Sequence, residues 1–100
     1  MGLDPATLNY SIEERSEAGR IVARGEMGEA ELTYRLRPGG RLIADHTGVP
    51  PSMGGMGVGT ALVERLYALA KERDLKIVPA CPFVEDKMAK HPQWRDVLTA

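Results

Sequence analysis

The feature that most constrains this chain is a change of hydrophobic period at Pro50-Pro51. Before the pair, apolar residues alternate with polar ones. After it, they recur at helical spacing. Leu8, Tyr10 and Ile12 alternate within 8–15, and Ile21 and Val22 centre the segment GRIVARG. Ala30, Leu32, Tyr34 and Leu36 share one side of GEAELTYRLR, and Glu31, Thr33, Arg35 and Arg37 take the other. A period of two is that of a half-buried strand. Pro38-Gly39-Gly40 carries hairpin chemistry, and 40–49 reads as the returning strand. Arg35, Arg37 and Arg41 around this hairpin read as a solvated face. The first half is thus an antiparallel meander of three or four strands.

The proline pair ends the last of these strands, because proline has no amide for the ladder. SMGGMGVG follows as a glycine loop. Over 57–73, Val58, Leu62, Leu66 and Leu69 fall at i, i+4, i+8 and i+11, which predicts an amphipathic helix. LKIVPA (75–80) is a short apolar strand. A second helix is expected over 82–90, with Pro82 tolerated in its first turn. His91-Pro92 breaks it, and QWRDVL supplies a last helical turn. Residues 1–7 read as a loose lead-in. The strand–helix–strand unit crosses over right-handed if its strands are parallel neighbours. The expected fold is α/β (α+β): one domain over 1–100, with a mixed, mainly antiparallel sheet and helices packed on it.

Composition removes several function classes. Lys plus Arg is 13 and Asp plus Glu is 14, for a net charge of −1. Neither a basic excess nor an aromatic stacking platform supports a nucleic-acid partner. Cys81 is the one cysteine, so no intrachain disulfide can form. Cys81, His46 and His91 show no metal-ligand spacing, and no metal is expected. No apolar run approaches the ~20 residues that span a bilayer. The first ten residues lack a basic and apolar leader pattern. The expectation is a cytoplasmic protein, monomeric or weakly homodimeric.

Gly54, Gly55, Gly57 and Gly59 stand immediately before the first helix. A helix start presents unpaired N–H groups and the positive end of the macrodipole. Glycine lets a ligand approach that backbone closely, so the loop suits a phosphate or pyrophosphate. A Walker loop needs Gly-Lys-Ser/Thr, and Gly59-Thr60 has no lysine. A dinucleotide fingerprint needs a third glycine where Thr60 stands. On the loop alone, a flexible connection whose glycines only relieve strain is an equal reading.

The wider string carries more. His46-Thr47-Gly48-Val49-Pro50, the glycine loop, Val78-Pro79-Ala80-Cys81-Pro82-Phe83 and His91-Pro92 occur in that order. Together they resemble a family of small single-domain GNAT-like N-acetyltransferases, from about residue 10 to residue 98. The family loop reads Gln/Arg-x-x-Gly-x-Gly/Ala. Gly57 and Gly59 match its glycines, and Gly54 stands at the Gln/Arg position, whose side chain usually braces the loop. Larger members place an Asn and a Tyr in the helix after the fifth strand. PFVEDKMAKHP has neither, so their tyrosine acid is not carried over.

The resemblance implies acetyl-CoA as co-substrate and an amine as acceptor. It implies that Thr47, Gly48 and Val49 offer backbone groups to the pantetheine arm. Gly54, Gly55, Met56, Gly57, Val58, Gly59 and Thr60 would hold the pyrophosphate. Phe83, Lys87, Lys90 and His91 would complete the cofactor side, the last three toward the 3′-phosphate. Cys81 and His46 are the catalytic candidates. As a thiolate, Cys81 takes an acetyl group if a helix N-terminus depresses its pKa. His46 titrates near neutrality and suits deprotonation of the amine or of the Cys81 thiol. Each has a plainer reading: an inert buried cysteine, a hydrogen-bonded structural histidine, and a helix-capping His91. A module that binds an acyl-CoA or a protein without turnover is the alternative function.

Overall fold

The computed structural model describes residues 4–98. Four strands form the meander: β1 (Asn9–Arg15), β2 (Ala18–Gly25), β3 (Gly28–Arg37) and β4 (Arg41–Gly48). Then come α1 (Val58–Arg73), β5 (Lys76–Pro79) and α2 (Pro82–Ala89). Short 3-10 turns cover Pro5–Thr7, Pro51–Met53 and Pro92–Val97. The loose lead-in expected over 1–7 lies partly outside the described residues. Within them, Pro5–Thr7 is a turn capped by the Asp4 carboxylate, and the Tyr10 hydroxyl donates to the Pro5 carbonyl at 2.8 Å.

The sheet order is β1-β2-β3-β4-β5. The first three pairings are antiparallel, and β4 pairs with β5 in parallel. Alternation sends Ile21, Ala23, Ala30, Leu32, Tyr34, Leu42 and Ala44 to one face. There they pack with Val58, Leu62 and Leu66 of α1 and with Val84 and Met88 of α2. All of the helices therefore cover this one face. Val22 is fully buried yet belongs to the other face. It lies between Arg20 and Arg24 on β2 and pairs with Ser11 and Glu31. The guanidinium groups of Arg20 and Arg24 reach Glu13, Glu29 and Glu31 across the neighbouring strands and roof it over.

β4 carries one irregularity with consequences for the site. Thr33 pairs with His46, but Tyr34 pairs with Ala44, so Asp45 is an extra, bulged residue. A bulge shifts the facing of every residue beyond it. After it Thr47, opposite Leu32, faces the helices, while His46, opposite Thr33, faces away from them.

A second tie joins β1 to the end of α1. The Glu14 carboxylate accepts from the Tyr34 hydroxyl at 2.6 Å and from Arg73 at 2.8 Å. These two hydrogen bonds hold the Glu14 carboxyl below the ordinary glutamate value of 4.5, against a smaller upward push from burial. A depressed folded-state pKa means stability that is complete above about pH 4.5 and is lost as pH falls through the folded value. Glu14→Gln is expected to cost about 1 kcal/mol at neutral pH. In thermal unfolding, its deficit against the natural chain should shrink on acidification below that value. A deficit that stays constant with pH would remove the carboxylate's role.

Candidate acetyl-transfer site

β4 and β5 separate immediately after a short parallel ladder. Its last strand pair is Ala44 with Pro79, and a final bond runs from the Cys81 amide to the Ala44 carbonyl at 2.8 Å. Beyond that point β4 continues through His46, Thr47 and Gly48, while the other chain turns at Cys81 into α2. A V-shaped splay opens between them, with Cys81 at its vertex.

Cys81 is the N-cap residue of α2, with Pro82 in the first turn, as its missing amide permits. The residue is 6% exposed. Its sulfur lies 3.6 Å from the Thr47 hydroxyl. Burial pushes the thiol pKa up. The backbone amide of Val84, the Thr47 hydroxyl and the amides of Phe83 and Thr47 together outweigh it, so the net shift is downward from 9.0. Donors from two different elements thus converge on one sulfur and favour its anion.

His46 does not join this group. The bulge places it, exposed, on the helix-free face beside Thr33. The thiol and the imidazole flank the splay from opposite sides of the sheet, so His46 is not positioned to take the Cys81 proton.

The glycine loop forms the second part of the site. Met53 is fully buried and anchors it. Gly57 caps α1 in the left-handed region, at φ 84° and ψ 9°, with no side-chain hydrogen bond to the cap. A left-handed residue there favours glycine, and the absence of a capping side chain leaves the first-turn amides facing outward. Gly59 answers a different need. A Cβ on it would lie 2.4 Å from the Phe83 ring, so it lets α1 and α2 close together at their N-termini.

A cavity of about 250 Å³ lies over this turn, lined by Val49, Gly54, Gly55, Gly57, Val58, Gly59, Thr60, Phe83 and Lys87. Lys87 sits 5.4 Å above the Phe83 ring and supplies a cation at the rim. Phe83 and Val49, both in its lining, stand two residues from Cys81 and Thr47 respectively. Thr47 and Gly48 lie in the splay, and Met56 is half-buried and does not line the cavity.

Two sequence-predicted contacts are not brought to this cavity. Lys90 pairs with Asp86 at 3.1 Å at the far end of α2. His91 Nδ1 lies 2.7 Å from the Lys87 carbonyl, and the ring stacks on Trp94 at 4.2 Å. That is the helix-end role open to it from sequence. Sequence reasoning gave Thr47 a backbone role only, and did not single out Val84. The signal for Val84 was present, since the first-turn amides of a helix that begins at Pro82 have no intrahelical acceptor.

A family model described as GCN5-related N-acetyl-transferase matches residues 20–97. The chain belongs to the GCN5-related N-acetyltransferase family. Among solved structures it is similar to a solution structure from Staphylococcus aureus described as a "GCN5-like putative N-acetyltransferase". The identity is 31%, 90% of this chain and 88% of that chain are covered, and the TM-score is 0.67. No curated protein matches the chain. The GCN5-related fold, a mainly antiparallel sheet with one parallel pair and helices on it, agrees with the architecture expected from sequence. Among the described residues of this family member, no helix is long and apolar enough to cross a membrane.

Proposed function

We propose that this protein transfers an acetyl group from acetyl-CoA to an amine, with Cys81 as the acetyl carrier. The observation that carries the reading is the closeness of two features. The uncapped N-terminus of α1 behind Gly57 lines a cavity together with Val49 and Phe83, which stand two residues from Thr47 and Cys81, the pair joined at 3.6 Å. Acetyl-CoA, when bound, supplies an activated thioester and a pyrophosphate. Amides of the α1 first turn and Lys87 fit the pyrophosphate by charge and by the close backbone approach that Gly57 permits. The edge of β4 at Thr47 to Val49 suits the pantetheine arm, as a strand edge suits an extended peptide.

Cys81, as its thiolate, attacks the thioester carbonyl. A tetrahedral oxyanion forms, for which the Thr47, Phe83 and Val84 amides are the nearby donors. The carbon–sulfur bond to CoA breaks, the CoA thiolate takes a proton from solvent, and acetyl remains on Cys81. The amine then attacks this new thioester, the Cys81 thiolate leaves, and the amine's proton passes to His46 on the outer side of the splay. In the alternative of binding without turnover, the same cavity holds an acyl-CoA and the second half never occurs.

Gly54 is the informative departure. Its φ of −74° is open to any residue, and a Cβ there would meet nothing closer than 3.5 Å. Gly54→Arg is therefore expected to fold normally and to bind acetyl-CoA several-fold tighter, through one added charge-assisted hydrogen bond to phosphate. Calorimetry of both chains, followed by turnover with a panel of primary amines, tests the reading. Absence of binding at millimolar acetyl-CoA would remove both CoA readings, and binding without transfer would leave the module.

A further inference from the structure

The helix-free face of the sheet divides into two unlike halves. In one half Arg20 and Arg24 are neutralised by Glu13, Glu29 and Glu31. In the other, the register sets cations side by side. Arg37 pairs directly with Arg41, and Arg41 pairs directly with Lys76, which forms a three-strand cationic row. In the next row, Arg15 and Arg35 flank Ala18. Arg35 meets Asp45 at 3.3 Å. Lys76 donates to the main-chain carbonyl of Asp96 and keeps its charge uncompensated. Among the described residues, Arg15, Arg37 and Arg41 make no ion pair. Like charges directly opposite one another on a sheet are unfavourable, and this face concentrates cations in a chain whose net charge is −1.

The row also stands at a defined distance from the splay. Five steps along β4 take the chain from Arg41 to His46, roughly 15 Å at strand spacing. Beside that path, over β1 to β3 and reaching Asp45, lies an open depression of about 710 Å³ lined by Arg15, Arg20 and Arg35 and also by Glu13, Glu14 and Asp45. An extended segment crossing that distance has four or five residues.

We propose that the helix-free face docks an acidic peptide segment, with its carboxylates over Arg37, Arg41 and Lys76 and its free amino group at the splay beside His46. The acceptor is then a protein amine followed, at four or five residues, by Asp or Glu. The acceptor half of this inference rests on the acetyl-transfer reading above. The docking half does not, and the test separates them. A peptide face with guanidinium groups in a fixed row favours carboxylates paired by two parallel hydrogen bonds. The flat, open depression favours a chain over a compact metabolite.

The experiment measures anisotropy of a fluorescein-labelled peptide of sequence Ser-Gly-Gly-Glu-Asp-Glu with a free amino terminus. A counterpart carrying Gln and Asn in place of the acids, and a single-stranded oligonucleotide of equal charge, are measured beside it. The acidic peptide should bind at least tenfold tighter than its neutral counterpart. The variant Arg37→Glu/Arg41→Glu should lose that preference while retaining its thermal midpoint and its acetyl-CoA affinity, since neither residue touches the cavity. The single change Arg37→Glu creates an ion pair with Arg41 and should raise the midpoint, which guards against misfolding as the cause. Equal binding of both peptides, or tighter binding of the oligonucleotide, overturns the proposal. Acidic-peptide binding with no acetylation upholds the docking face and overturns the acetyl-transfer reading. Acetylation of both peptides at equal rates does the reverse.

Discussion

Replacing Cys81 with alanine is expected to lower acetyl transfer by at least about a thousandfold, as removal of a covalent nucleophile does, and to leave acetyl-CoA binding little changed. The expectation follows from the sulfur's surroundings. Burial alone would hold the thiol protonated, yet the Val84 amide, the Thr47 hydroxyl and the Phe83 and Thr47 amides reverse that push. The thiolate population therefore rises with pH through a value below 9.0. Turnover limited by this group should rise over the same range. Thr47→Val removes one donor and should move that rise to higher pH. Intact-mass measurement after mixing with acetyl-CoA should show one added acetyl on the natural chain and none on Cys81→Ala. Survival of turnover in Cys81→Ala would rule out the covalent route and leave direct attack of the amine on the CoA thioester. Unfolding is not the expected cause of the loss, because the thiol is a small side chain at the rim of the core.

Gly57→Ala carries the second large effect. Gly57 holds a left-handed conformation at φ 84°, which costs an alanine about 1–2 kcal/mol. The loop can relieve this strain only by turning its backbone, and that re-aims the first amides of α1. Acetyl-CoA affinity is expected to fall at least tenfold, about 1.4 kcal/mol in binding free energy, and the thermal midpoint should fall as well. Calorimetry beside thermal unfolding checks both. Unchanged affinity in a destabilised chain would mean that the loop serves the fold alone, the plainer reading that its glycines allowed from sequence.

Much of the framework was legible because it rests on local patterns. Alternation through Ala30, Leu32, Tyr34 and Leu36, the helical spacing of Val58, Leu62, Leu66 and Leu69, and the proline punctuation each report on one element. The expected helix over 82–90 ends one residue earlier, with Lys90 as its cap. What escaped was non-local or depended on one residue of register. Strict alternation puts His46 on the same side as Leu42 and Ala44, hence beside Cys81. The bulge at Asp45 reverses this, and no residue type in ADHT announces it. Gly59 read as part of an anion cradle. Its reason for being glycine also includes a ring 24 positions away in sequence, at Phe83. The convergence of Thr47 on Cys81 depends in the same way on the parallel register of β4 and β5, which sequence spacing does not fix.

The burial of Val22 beneath ion pairs bears on how this molecule behaves in a crowded solution. Bare sheet faces tend to stack on one another, because apolar side chains on each find the same chemistry on the next. Here the centre of the uncovered face hides the fully buried Val22 side chain under a lattice of guanidinium and carboxylate groups. Another copy approaching that centre meets hydrated charge and gains no hydrocarbon contact. The ion pairs thus do at the centre of this face what a helical layer does on the other: they shield the sheet's hydrocarbon from water.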